Sequence, residues 1–139
     1  MSRTLTLEGD INAVDTRVNL TAQGSVTAPS LVVPVGMIKI KNIIAAASHD
    51  GAVDDGTALW FLRLGGNAVK NGEQTIVIGG GGNQTVQAGS DSAPNVMLPF
   101  TLENVDIDIT PSDTISVSAE FTGTDIGDTA IAVTLVFGS

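Results

Sequence analysis

The stretch "DTISVSAEFTGTDIGDTAIAVTLVF", residues 113 to 137, decides the fold. Apolar Ile115, Val117, Ala119 and Phe121 alternate with polar Ser116, Ser118 and Glu120. After a break rich in Gly and Asp, Ile131, Val133, Leu135 and Phe137 repeat the pattern. Successive side chains of a strand point to opposite faces, so this period buries one face and wets the other. A helix would instead place apolar residues three and four apart. The stretch predicts two strands joined by the loop "GTDIGDT".

The same period recurs outward from it. Leu5 and Leu7 alternate with Thr4, Thr6 and Glu8, and Val18, Leu20 and Ala22 with Arg17, Asn19 and Thr21. Ile38 and Ile40 alternate with Lys39 and Lys41, and Val105, Ile107 and Ile109 with Asn104, Asp106 and Asp108. Only "KNIIAAAS" (41–48) has a helical look, and two turns are too short to stand alone. Asn71-Gly72 signals a two-residue hairpin, and Pro111 in "TPSDT" a type I turn. Strands without helical connectors predict an all-β, antiparallel sandwich or barrel. With 139 residues the chain reads as one domain. Within it, residues 1–36, broken by Gly9, Gly24, Pro29, Pro34 and Gly36, read as an N-terminal extended arm with short strands, and residues 37–139 as the sandwich core.

Two strands are apolar on both faces. In "ALWFLRL" (58–64), Trp60, Leu62 and Leu64 share one face, Leu59 and Phe61 the other. The final strand carries Ala130, Ala132 and Val136 opposite its core residues. Each second face needs a cover, either a crossing loop or another chain. The candidate interface is therefore Leu59, Phe61, Ala130, Ala132 and Val136, with Leu5 and Leu7 from the arm.

Charge narrows the partners. The net charge is −9 with 15 acids and 6 bases, and a mean hydropathy of +0.29 is apolar for a small monomer. Such an acidic surface repels phosphate backbones, so no direct nucleic-acid binding is expected. No apolar run reaches membrane-spanning length. The start, "MSRTLTLEGD", lacks the apolar stretch of a signal peptide, so any route out of a cell would be another one, such as lysis. The absence of cysteine rules out disulfides and thiolate–zinc sites.

No motif for catalysis emerges, and the chain is expected not to be an enzyme. "IVIGGGGNQTV" (76–86) lacks the lysine of a phosphate-binding loop and the spacing of a dinucleotide fingerprint. His49 is the only histidine, and no nucleophile elbow is present. Asp50, Asp54 and Asp55 in one loop and Asp125 and Asp128 in another are weak candidates for calcium, which favours several loop carboxylates. Neither loop has calcium-loop spacing, so solvated turn carboxylates are the stronger reading. Asp106 and Asp108 share a strand face, where they could seat a cation or pair with Lys39 and Lys41 across a sheet, although a simply wet outer face is the stronger reading.

In "LPFTLENVDIDITPSDTISVSAEFTGTDIGDTAIAVTLVFGS" (98–139), a strand leads to a Pro/Asp turn, a second strand, a short Gly/Asp loop and a closing strand. This order resembles the last strands of single-jelly-roll virus capsid and virion structural proteins. "GMIKIKNIIAAASHD" and "ALWFLRLGG" would be earlier core strands, extending the resemblance to about residues 37–138. It implies a jelly roll and a virion location. It further implies a capsid or capsid-decorating subunit that self-assembles, as a trimer or higher, with itself and with other virion or surface proteins. No functional residue carries over, because the family has no catalytic site. Two other readings stay open: an extracellular pilus-like filament subunit using strand complementation, and a calcium-assisted glycan-binding module at the cell surface.

Overall fold

The computed structural model describes residues 2–13, 15–22, 30–49, 57–77, 86–87, 96–123 and 129–139. Every regular element among them is a strand. In chain order these are β1 (Ser2–Ile11), β2 (Val18–Asn19), β3 (Thr21–Ala22), β4 (Ser30–Val32), β5 (Lys39–His49) and β6 (Thr57–Gly65). There follow β7 (Gln74–Val77), β8 (Val86–Gln87), β9 (Val96–Leu102), β10 (Ile107–Asp108), β11 (Thr114–Gly123) and β12 (Thr129–Gly138).

They form two antiparallel sheets. In the first, β12 lies between β1 and β5, β9 and β10 share the far edge of β5, and β3 flanks β1. In the second, β11 pairs β6, with β2 and β4 along one edge and β7 and β8 along the other. The first and last long strands are thus neighbours, and β4 to β5, β5 to β6, β10 to β11 and β11 to β12 each cross between sheets. This is the connectivity of a jelly-roll sandwich.

The core lies between the sheets. Ile131, Val133, Leu135 and Phe137 of β12 are buried on one side, and Ile115, Val117 and Ala119 of β11 with Leu62 and Leu64 of β6 on the other. Alternation produces this directly, because the intervening residues of each strand face outward. The helix-like 41–48 run belongs to β5. There the register slips by one residue, Val136 pairing with Asn42 and Phe137 with Ile40. Lys41 is the extra residue of a bulge, so Ile40 and Ile43 both reach the core although three apart.

The N-terminal segment departs from its reading as an arm. Residues 2–11 pair with β12 along the whole of β1, from Ser2 opposite Gly138 to Ile11 opposite Thr129. Leu7, Ile11, Leu20 and Val33 are all fully buried. Gly9, read as a break, is a packing site: a Cβ there would lie 2.9 Å from Leu20 Cδ2. Segments of 1–36 therefore supply strands to both sheets.

Two turns also differ from expectation. No two-residue hairpin forms at Asn71-Gly72; β6 and β7 are joined by residues 66–73, where Gly66 and Gly72 have φ of 92° and 80°. At Pro111, Asp113 N–H donates to Thr110 O at 3.4 Å while Ser112 takes φ 65°. Positive φ at the third position excludes type I and fits type II.

Candidate assembly surfaces

The inner faces are consumed by the core, so any surface that binds must lie outside it. The two outer faces differ in chemistry. On the second sheet, Ser118 opposes Arg63 and Glu120 opposes Phe61. Arg63 Nη1 pairs with Glu120 Oε1, both side chains being largely buried. Arg17, just before β2, donates Nε–H to Ser118 Oγ at 2.6 Å and Nη2–H to Glu73 Oε2 at 2.5 Å. Ser118 is 2% exposed, so its hydroxyl needs a partner, and this donor supplies one. The Arg17 hydrogen bond holds the Glu73 carboxyl below its ordinary range, against a smaller opposing effect of desolvation. This face is thus knitted by ionic groups.

The outer face of the first sheet is different. Register places Glu8, Ala132 and Ala46 in one row, Thr6, Thr134 and Ile44 in the next, and Thr4, Val136 and Asn42 in a third. Ala132 and Ala130 are exposed, and Val136, Ile44 and Ala46 are half-buried. The polar contact across the middle row is Thr6 Oγ1 to Thr134 Oγ1, at 2.9 Å. Charge is confined to its ends, with Glu8 and Asp10 at one and Lys41 at the other.

At the lysine end, cross-strand ion pairs form: Lys39 Nζ to Asp108 Oδ1 at 3.0 Å, Lys41 Nζ to Asp106 Oδ1 at 3.2 Å. Asp108 stands directly opposite Lys39 in the ladder. Its hydrogen bond and charge push the Lys39 ammonium above its ordinary pKa. Asp106 and Asp108 therefore already hold cations of the chain itself. Beside them, Val69, Asn71, Gln74, Val105 and Ile107 complete an open hollow of about 150 Å³.

The candidate interface residues distribute unevenly. Ala130, Ala132 and Val136 lie together on the outer face of β12. Leu7 is fully buried core, which corrects its assignment to an interface, and Leu5 is half-buried against that core. Phe61 is half-buried beside the Arg63–Glu120 pair. Leu59 pairs with Thr122 in the ladder, but its side chain lies outside the described residues, as do Asp50, Asp54, Asp55, Asp125 and Asp128. Sequence reasoning missed Val32, Val35 and Ile38, which are 59%, 81% and 48% exposed. Their signal is the length of the apolar run "LVVPVGMI" (31–38), more than one strand face can bury.

No family model matches the chain, and no curated protein matches it. Among solved structures it is similar to a chain of the infectious bursal disease virus Gx strain structure. The identity is 14% and the TM-score 0.46, over 99% of this chain and 36% of that one. For the Gt strain structure the identity is 13% and the TM-score 0.37, over 98% of this chain and 37% of that one. The chain thus spans well under half the length of either neighbour. Among the described residues no helix is long and apolar enough to cross a membrane.

Proposed function

We propose that the chain is a structural, non-catalytic subunit of a virion, a capsid or capsid-decorating protein that self-assembles. One observation carries the reading: the outer face of the first sheet presents Ala130, Ala132, Ile44, Ala46 and Val136 in adjoining rows, with the acidic Glu8 and Asp10 at its β1 edge. The other outer face of the same molecule is ionic, so the bare one is a property of that surface and not of the composition. Burying the apolar part of such a face between copies removes its area from water at about 25 cal/mol per Å². The jelly-roll connectivity and the pattern shared with virion proteins over residues 37–138 support the same role, although a fold alone does not assign one.

Strand complementation as a pilus-like filament fares less well, since β1 already completes the chain's own sheet.

Sedimentation velocity and negative-stain microscopy of wild type and Ala132→Glu test the proposal. Wild type should form a trimer or larger species, with shell fragments or regular particles in the microscope. Ala132→Glu should shift it toward monomer with an unchanged fold. A wild type that stays monomeric into the hundred-micromolar range would overturn it. Lone monomers that take up calcium with defined stoichiometry would point to the glycan-binding alternative instead.

A further inference from the structure

The connection between β6 and β7 carries the one asparagine of the chain that precedes a glycine, Asn71-Gly72. Every other asparagine precedes Ala, Leu, Ile, Gln or Val, each of which sets a Cβ beside the next backbone nitrogen. Asn71 is exposed, and among the described residues its carboxamide has no hydrogen-bond partner. The Gly72 nitrogen is loosely held. Its N–H donates to Val69 O at 3.3 Å, longer than an ordinary bond of this kind. A Cβ at Gly72 would meet nothing within 4 Å, so no neighbour confines the turn there. Asn67, in the same connection, is the contrast. It too is exposed, but the nitrogen after it belongs to buried Ala68 and donates to Thr114 O at 2.8 Å.

We infer that Asn71-Gly72 is a site of spontaneous covalent modification, at which the folded protein deamidates with time. The deprotonated Gly72 nitrogen attacks Asn71 Cγ. The N–Cγ bond forms, the Cγ–Nδ2 bond breaks, and Nδ2 leaves as ammonia, taking up the proton that the Gly72 nitrogen gave away. Water then opens the cyclic imide at either carbonyl, giving aspartate or isoaspartate. Water is the only co-reactant. Both products carry one more negative charge than the fresh chain, whose net charge is −9. The new carboxylate stands at a hollow that Asp106 and Asp108 already line, and the nearby cations Lys41 and Lys39 are already paired with those two. Like charges so placed oppose one another. Isoaspartate also adds a main-chain carbon between Val69, which bridges to Ile109, and Glu73, which holds Arg17. The site thus lies between two tethers of the connection. The chemistry is the same for a lone molecule and for an assembled one, so it stands apart from the subunit reading.

The test ages the purified full chain in mildly alkaline buffer and samples it by isoelectric focusing, with the changed residue located by peptide mass spectrometry. A more acidic band should grow in, with ammonia released in equal amount and the change at residue 71, while Asn67 stays intact. Asn71→Gln, whose longer side chain closes an imide ring far less readily, should show no such band over the same period. Gly72→Ala should slow it about tenfold, equivalent to about 1.4 kcal/mol in the barrier. Both variants should keep the wild-type circular dichroism spectrum. Mildly acidic buffer should slow the wild type as well, because fewer Gly72 nitrogens are then deprotonated. A wild type that keeps its charge throughout, or an acidic band that maps to another asparagine, would overturn the inference. So would equal rates in wild type and Gly72→Ala.

Discussion

Leu7→Ala separates a core strand from an interface arm. Leu7 is fully buried on the inner face of β1, with Val133 opposite on one side and Ala22 on the other. Buried Leu→Ala changes cost about 2–5 kcal/mol, the upper values where surroundings cannot collapse into the space. Ala22 is too small to fill it, and Val133 is held in the middle of a sheet. The expected loss is therefore about 3–5 kcal/mol, a large share of the roughly 5–15 kcal/mol that holds a domain folded. Urea unfolding followed by Trp60 fluorescence reads it. With a slope of about 2 kcal/mol/M the midpoint should fall by about 2 M. The fall should be the same at protein concentrations tenfold apart, because the lost contacts are internal. A loss below about 1 kcal/mol, or one that disappears on dilution, would refute the placement of β1 in the core.

The glycines of the β6–β7 connection should behave differently from each other. At Gly66 a Cβ would lie 2.7 Å from Thr114 O with φ 92°, so Gly66→Ala should cost several kcal/mol, whereas at Gly72 nothing lies within 4 Å and Gly72→Ala should cost only the left-handed strain of about 1 kcal/mol; thermal melts of the two compare them. The Arg17–Glu73 pair should act in the acid limb. Because the folded Glu73 carboxyl titrates below its ordinary 4.5, its stabilisation is complete above that pH and lost as pH falls through the folded value. Wild type should exceed Glu73→Gln in stability at neutral pH, with the gap closing below pH 4.5; a gap constant with pH would exclude the charged pair as its source.

How far the sequence could be read depended on how local the determinants are. β11 and β12 follow an unbroken two-residue period, and the inner face of each emerged as the letters imply. The pairing of Lys39 and Lys41 with Asp108 and Asp106 was visible only as an option beside a bound cation and the stronger reading of a wet outer face, since alternating charges on two strands match only in certain registers. β5 was obscured because the bulge at Lys41 moves Ile43 to a helical spacing from Ile40. β1 was mistaken because its partner is distant. Thr6 meets Thr134 across 128 residues, and nothing near Gly9 tells that Leu20 will pack over it. The bare panel on β12 was legible from Ala130, Ala132 and Val136. The exposure of Val32, Val35 and Ile38 was not, because burial of Val33 and Met37 in their stead depends on where the chain turns.

The seat of β12 between β1 and β5 also has a consequence for biosynthesis. On a ribosome, β1 and β5 would emerge with facing edges unsatisfied, and no earlier segment supplies the strand that joins them. The first sheet can be completed only after residues 129–138 leave the exit tunnel. Contacts so remote along the chain also make that step slow. During that interval the nascent chain exposes two sticky strand borders, and crowded polysomes making this protein would gain from a chaperone that shields them.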